Sequence, residues 1–217
     1  VESQIVPGSP KAVLTLASGE ELDLQEEGQF VSKDSSRIRN VGNVLEYEAG
    51  VKKHGEKKLE YNTLTIPRGG EYQLKLEDGT NVWLNAETEL RFPVAFGDSE
   101  RRIFLKGEAY FEIAKNPSVP FVVTVENVDV EVLGTEFAVR AYTDESHTLT
   151  TLVKGAVKVR SGELETTLAP SEQADIESRT GHLEVRQVDV TPFVAWRHGR
   201  IVFDNTPLET ILGELSR

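Results

Sequence analysis

Short runs of alternating apolar and polar residues constrain the fold of this chain more than any other feature. Val128–Val132 and Ala156–Val159 alternate cleanly, and Phe121–Val125, Glu136–Arg140 and His182–Arg186 are β-branched or aromatic runs of strand length. A period of two places every second side chain on the same face of an extended strand. These five runs therefore predict half-buried β-strands.

Glycine-containing dipeptides separate the runs at intervals of roughly 8–12 residues. They are Ser18-Gly19, Gly69-Gly70, Asp78-Gly79, Ser161-Gly162 and Thr180-Gly181. Glycine readily supplies the positive φ that tight turns need. The sequence thus predicts a mainly β fold, either an all-β sandwich or a solenoid built of hairpins.

A weak internal repeat is compatible with both architectures. Leu14, Leu16, Gly19 and Leu24 align, at an offset of 60 residues, with Leu74, Leu76, Gly79 and Leu84. The shared unit is two alternating strands around a glycine turn. It could be an ordinary hairpin formed twice, or it could be one unit of a stacked array.

The C-terminal residues carry a different pattern, which predicts a helix. Thr206, Pro207 and Glu209 suit the N-cap, first and third positions of a helix. Four apolar residues then follow at helical spacing: Leu208, Ile211, Leu212 and Leu215. Arg200–Asp204 predicts a strand just before the helix. We expect a change of domain near residue 187, with 187–217 as the first strand and helix of a truncated α+β domain.

Composition excludes several classes of function. Lys and Arg total 24 and Asp and Glu total 36, so the net charge is 24 − 36 = −12. This balance argues against nucleic-acid binding and against contact with an anionic membrane.

Without cysteine, the chain has no disulfide framework and no thiolate nucleophile. We find no hydrolase, nucleotide-binding or metal-binding motif, and we expect the four histidines to lie at the surface. The sequence therefore predicts neither an enzyme nor a cofactor.

Several ordered motifs carry a family resemblance. The run Ile66-Pro-Arg-Gly-Gly70 leads into Tyr72–Thr80 and then Val82-Trp-Leu-Asn85. Later motifs are Leu105–Ile113, Pro120-Phe121, Val132–Phe137 and Leu152-Val-Lys-Gly155. In order and spacing the chain resembles the FecR-type periplasmic domain of membrane-anchored anti-sigma factors. The Trp-Leu-Asn run resembles the Bacteroidetes branch, and Phe203–Glu209 resembles the opening of its STN-like (secretin/TonB short N-terminal) domain.

The resemblance implies a signalling role. The family's periplasmic part receives the N-terminal signalling domain of an outer-membrane TonB-dependent transporter. The signal then reaches a sigma factor through a cytoplasmic region and one membrane helix, neither of which is in this sequence, and commonly involves regulatory proteases. On this basis we expect a periplasmic segment of a single-pass inner-membrane protein. The segment itself would contact neither membrane nor nucleic acid.

The resemblance also implies a division of the chain. Residues 1–66 would be an N-terminal β segment packing on the FecR-type domain of 67–186, and 187–217 would begin the STN-like domain. The family motifs carry over as turn and packing positions rather than catalytic ones. Those positions are Gly107, Glu108, Tyr110, Phe111, Gly134, Thr135, Phe137 and Gly155.

Two specific functions stay open at this point, beside a purely structural β-solenoid. A module that binds a protein partner could use a strand edge and the apolar helix stripe. Its candidate contact residues are Trp196, Ile201, Val202, Phe203, Leu208, Ile211, Leu212 and Leu215. Alternatively, a carbohydrate-binding or carbohydrate-active domain could stack sugars on Trp83, Trp196 and Tyr72, with acids as general acid and base.

Overall fold

Two mixed β-sheets account for most of the structure. The computed structural model describes residues 9–25, 27–31, 36–48, 60–204 and 206–217. Within them, the first seven strands are β1 (Ser9–Pro10), β2 (Val13–Thr15), β3 (Glu21–Asp23), β4 (Gly28–Val31), β5 (Arg37–Val41), β6 (Val44–Glu48) and β7 (Tyr61–Ile66). The next six are β8 (Gly70–Lys75), β9 (Asn81–Leu84), β10 (Thr88–Pro93), β11 (Arg101–Glu112), β12 (Phe121–Val125) and β13 (Val128–Val132). The last six are β14 (Glu136–Ala141), β15 (His147–Lys154), β16 (Val157–Ser161), β17 (Leu164–Leu168), β18 (Glu172–Glu177) and β19 (Leu183–Gln187).

The chain visits the two sheets in turn. The first sheet has the order β3-β2-β7-β10-β11-β12-β13-β16-β17. The second has the order β4-β5-β6-β8-β9-β11-β14-β15-β18-β19. Successive hairpins are added alternately to one sheet and then the other. The fold thus has the two facing sheets of a sandwich and the stepwise progression of a solenoid, which confirms the mainly β prediction.

One hydrophobic core fills the space between the sheets. Leu64 and Val130 of the first sheet and Leu74 and Val139 of the second are fully buried in the same cluster. Burying one such aliphatic side chain contributes about 1.5–3 kcal/mol. Because residues from β2 through β18 share this core, the two sheets stabilise each other along their whole length.

The predicted turns form as expected. Gly19, Gly69, Gly79, Gly162 and Gly181 all have positive φ, between 59° and 84°. In both copies of the internal repeat the same two hydrogen bonds close the turn. Leu16 N donates to Glu20 O and Gly19 N to Leu16 O, and Leu76 and Gly79 make the matching bonds. The repeat is therefore one hairpin type used once in each sheet.

Strand β11 belongs to both sheets and bends at Gly107. Its first half pairs with β10 and β12, while residues 107–112 pair with β14 and β9. Gly107 has a φ of +98°. A Cβ at this position would lie 2.5 Å from Thr88 Oγ1 and 2.7 Å from Thr88 Cα. Only glycine fits the crossing point without strain.

The C-terminal residues form a strap, defined as residues 191–217, over the outer face of the second sheet. Its described helical elements are α1 (Thr191–Val194), a 3₁₀ turn (Ala195–His198) and α2 (Leu208–Leu215). The C-terminal helix is confirmed, although its N-cap is Pro207 rather than Thr206.

The predicted strand over 200–204 is wrong, because a strand needs a neighbour to pair with and this stretch pairs with none of the described strands. The pattern also did not predict α1. None of the helices in the described ranges has the length and apolarity needed to cross a membrane.

Candidate functional site

The middle of the second sheet's outer face is buried although a sheet face of this kind normally meets water. Along β11 every residue from Gly107 to Phe111 is buried, so both faces of the strand are covered there. Phe111 points into the core, where its ring stacks on Phe137 with centroids 5.0 Å apart. Glu108 and Tyr110 point outward and are covered by the strap. The strap and the strip of sheet beneath it form the candidate functional site.

Arg197 of the strap covers an aromatic pair. Its guanidinium lies 3.8 Å from the centroid of the Tyr110 ring and 5.8 Å from that of Trp83. The two rings meet edge to face, with centroids 5.8 Å apart. Arg197 also forms an ion pair with Glu112, with 3.3 Å between Nη1 and Oε1. Cation–π contacts of this kind stabilise most when they are shielded from water. Burial raises the pKa of Tyr110 to about 12.

A cluster of charged residues holds α2 to the sheet, with Arg140 at its centre. Arg140 lies directly opposite Glu108 on the neighbouring strand, and the pair is separated by 3.5 Å. It also donates to both carboxylate oxygens of Glu145, at 2.6 and 2.8 Å, and to Glu214 of α2. One guanidinium thus serves three carboxylates, one of which belongs to the strap.

The acidity of Glu108 is strongly perturbed in this cluster. Its side chain is almost fully buried, and Asn85 donates a hydrogen bond of 2.8 Å to its Oε2. Burial raises the pKa of Glu108 to about 7, against the opposing effect of Arg140. Glu214 and Glu145 add to the upward shift. Near neutral pH this carboxyl therefore holds a proton for part of the time.

Arg217 makes the last anchor of the strap. Its guanidinium lies 3.7 Å from the centroid of the buried Tyr142 ring and forms ion pairs with Asp144, Glu145 and Glu87 at 2.7–3.2 Å. The bond with Arg217 holds the pKa of Asp144 below its usual range. A cleft of about 510 Å³ opens beside this contact. Its basic residues have acidic partners, as in the pairs Arg68–Glu87 and Lys106–Glu89.

The predicted contact residues lie on the strap and mostly face solvent. Leu208 is 70% exposed and Leu212 is 58% exposed. Ile201, Val202, Phe203 and Leu215 are also exposed, whereas Trp196 and Ile211 are half-buried. The polar side chains of the strap therefore contact the sheet, while most of its large apolar side chains point away from it.

The remaining family-motif residues are buried or lie at close approaches of the backbone. Thr135 donates a 2.9 Å hydrogen bond to Ala156 O, and a Cβ on Gly155 would lie 2.9 Å from the Thr135 hydroxyl oxygen. A Cβ on Gly134 would meet the backbone of Lys115 at 2.9 Å. These positions connect successive hairpins of the fold.

The geometry gives little support to a sugar site. Tyr72 is buried, and its hydroxyl contacts Asn40 and Leu24 O. Trp83 is half-buried beside Arg197. An exposed aromatic platform beside two carboxylates is thus not formed by these residues. Within the described ranges, no group of three or more histidine or acidic side chains is arranged to hold a metal ion.

Reasoning from sequence alone missed the anchors Arg140, Glu145, Arg197, Glu214 and Arg217. One signal was available in the sequence. The adjacent aromatic residues Tyr110 and Phe111 must point to opposite faces of a strand, and large apolar side chains on both faces indicate a strand that is covered on both sides.

Comparison with known proteins agrees with this architecture. The model of the FecR protein family matches residues 62–158. Two crystal structures of a candidate anti-sigma factor from Parabacteroides distasonis ATCC 8503 are similar to the chain, with TM-scores of 0.68 and 0.67 and sequence identities of 32% and 30%. Each similarity covers 71% of this chain and 73% or 72% of the other. A search of curated protein sequences gave no match. The motifs, the two-sheet fold and these similarities together place the chain in the FecR family of anti-sigma factors.

Proposed function

We propose that this chain is the signal-receiving segment of a membrane-anchored anti-sigma factor. In this proposal it binds the N-terminal signalling domain of an outer-membrane TonB-dependent transporter in the periplasm. The signal is then passed through a single membrane span to a cytoplasmic sigma factor, with regulatory proteases as further partners. The segment itself carries no catalytic role.

The exposed apolar side chains of the strap are the observation that supports a protein partner. Six large apolar residues between 201 and 215 are exposed. Contiguous exposed apolar surface on a soluble domain commonly marks an interaction site. Such residues can supply the desolvated centre of an interface, where most of the binding free energy is concentrated.

The contacts that hold the strap to the second sheet are suited to a receiver that changes its structure when a partner binds. The anchors of the strap are cation–π contacts and ion pairs, such as Arg197 with Glu112 and Arg140 with Glu214. These pairs are largely shielded from water, so breaking one without replacing it is costly. A partner that binds the apolar side of the strap and supplies compensating contacts could therefore shift the strap relative to the sheet. Residues 187–217 would belong to the beginning of an STN-like domain that includes α2.

Calorimetric titration tests this proposal. A longer form of the protein that includes the residues following 217 is titrated with signalling domains of transporters encoded beside its gene. We expect saturable binding that Leu212→Asp and Phe203→Asp each weaken. The matched control is Leu164→Asp, because Leu164 is 51% exposed but lies on β17, away from the strap.

Each outcome has a definite meaning. Binding that is equally strong in Leu212→Asp and Leu164→Asp would remove the strap from the interface. Binding to none of the transporter domains, together with binding to a panel of glycans, would overturn the receiver function. Circular dichroism of each variant establishes that it is folded before titration.

A further inference from the structure

Strand β19 forms the edge of the second sheet. It pairs with β18 on one side, and no other described strand lies on its other side. Glu177 N donates to His182 O at 3.0 Å and Val188 N donates to Ser171 O at 2.8 Å. Hydrogen bonding alternates along an antiparallel pair, so the backbone groups of Glu184 and Arg186 also face β18. The N–H and C=O groups of Leu183, Val185 and Gln187 therefore point away from the sheet.

The side chains of β19 divide cleanly between its two faces. Leu183 lies opposite Ile176 and Val185 opposite Ala174, and both partners are buried core residues. Glu184 and Arg186 lie on the outer face. Gln187 shares the face of Leu183 and Val185. Pairing another strand with this edge would therefore extend the core side mainly with apolar residues and the outer side with charged ones.

Glu184 has no ion-pair partner among the described residues. It lies opposite Asp175, a residue of like charge that already contacts His147 and Arg186. In the described part of the chain, no basic group lies within ion-pair distance of Glu184. Strand β17 is an edge strand of the first sheet, and its acidic residue differs from Glu184. Glu165 forms ion pairs with Arg160 and Lys158 of its own chain.

The edge also lacks three devices that commonly prevent strand pairing. Natural edge strands are commonly protected by proline, by a bulge or by a charge that points inward. The segment Leu183–Gln187 contains no proline, pairs with β18 without a register shift and carries its charges on the outer face. This edge is therefore competent to accept another strand.

We propose that β19 pairs with β19 of a second copy of this chain, antiparallel and across a two-fold axis at Val185. In this register Leu183 lies opposite Gln187 of the partner subunit and Glu184 lies opposite Arg186 of the partner subunit. The free backbone groups of Leu183, Val185 and Gln187 then bond across the axis. Glu184 and Arg186 fall at non-hydrogen-bonded positions, where opposed side chains are closest.

Electrostatic interactions favour this register over the two registers that are shifted by two residues. A shift of two residues in one direction places Glu184 opposite Glu184 of the partner subunit, and a shift in the other direction opposes the two copies of Arg186. Like charges directly opposite each other destabilise a strand pair. Each chain carries a net charge of −12, but at physiological ionic strength this repulsion is screened beyond about 8 Å. The proposal is independent of the function proposed above.

Sedimentation equilibrium of charge variants tests the pairing. We expect the unmodified chain to show a concentration-dependent dimer at physiological ionic strength. Glu184→Arg alone and Arg186→Glu alone should each weaken dimerisation about tenfold or more, because each places two like-charged pairs in the dimer. An equimolar mixture of the two variants should associate again, since every opposed pair is then complementary. The double variant with both substitutions should also dimerise.

A cysteine cross-link checks the register itself. The chain contains no cysteine, so a single Val185→Cys places one thiol beside the two-fold axis, within the Cα separation that a disulfide spans. We expect mild oxidation to cross-link this variant efficiently. Glu184→Cys is the control, because its two copies would be diagonal neighbours about 7–8 Å apart.

Three results would overturn the proposal. The first is a chain that stays monomeric up to its solubility limit. The second is single variants that dimerise as strongly as the unmodified chain. The third is a Glu184→Cys variant that cross-links as well as Val185→Cys. Thermal unfolding of every variant confirms that a lost dimer does not reflect a lost fold.

Discussion

Replacing Gly107 by alanine should destabilise the protein more than an ordinary glycine substitution. The φ of +98° costs about 1–2 kcal/mol for an L-residue with a side chain. The new methyl group would also lie 2.5 Å from Thr88 Oγ1 and 2.7 Å from Thr88 Cα. Overpacking of this kind costs about 1–3 kcal/mol. The expected total loss is about 2–5 kcal/mol, from a stability that is about 5–15 kcal/mol in typical domains.

Thr88 has little freedom to move away from the new methyl group. Its backbone lies in β10, opposite Ile66 of β7. Its hydroxyl accepts a 3.0 Å hydrogen bond from Glu108 N. Relief of the clash would therefore require β10 to shift or β11 to straighten, and either movement would disturb the point where the two sheets join.

Urea unfolding followed by circular dichroism measures the effect, with Gly79→Ala as the matched control. Gly79 has a similar φ of +84°, but a Cβ there would have its nearest neighbour, Ala114 Cβ, 4.0 Å away. The control should therefore lose only the backbone contribution of about 1–2 kcal/mol. Equal losses in Gly107→Ala and Gly79→Ala would refute the close approach of β10 and β11 at the crossing point.

Three further predictions concern the site beneath the strap. Stability should fall as the pH rises through about 7, because the raised pKa of Glu108 gives a contribution that is complete below the ordinary value of 4.5 and lost above about 7. Thermal unfolding from about pH 5 to 8 should show this loss, of up to about 3 kcal/mol, in the unmodified chain and not in Glu108→Gln; parallel profiles would contradict the assignment. Arg140→Met removes the cation shared by three carboxylates, so hydrogen exchange in α2 should accelerate about tenfold. Arg160→Met, which removes an exposed ion-pairing arginine, should leave that exchange unchanged. Equal exchange rates in the two variants would show that the Arg140 cluster does not hold α2 to the sheet. Arg197→Ala should shift the fluorescence of Trp83 to longer wavelength and cost about 1–2 kcal/mol in urea unfolding; an unchanged spectrum would show that Arg197 does not shield the indole.

Local patterns predicted the strands and turns well because each depends on residues that are close in sequence. The predicted runs Val128–Val132 and Phe121–Val125 coincide with β13 and β12. In both, apolar residues face a core that neighbouring hairpins supply. The glycine turns depended only on the φ that each turn requires.

The strap was harder to predict because its contacts join residues that are far apart in the chain. Arg140 meets Glu214 across 74 positions, and Arg197 meets Glu112 across 85. In a chain with 36 acidic residues, no periodicity shows which acid an arginine will meet. The strand expected over 200–204 failed for a related reason, since apolar and β-branched residues favour a strand only where another strand lies beside them.

The position of the strip of sheet beneath the strap also constrains the order of events during synthesis. Each hairpin of the sandwich can pair with strands that have already been made, so the sheets can grow as the chain leaves the ribosome. The strip of sheet beneath the strap is formed by β9, β11 and β14 together. Among the described elements, the strap is synthesised last. Until it docks, the strap does not cover Glu108, and Glu214 does not raise the pKa of its carboxyl. The late docking step should therefore take up a proton near neutral pH, and its rate and equilibrium should depend on the acidity of the compartment in which the protein matures.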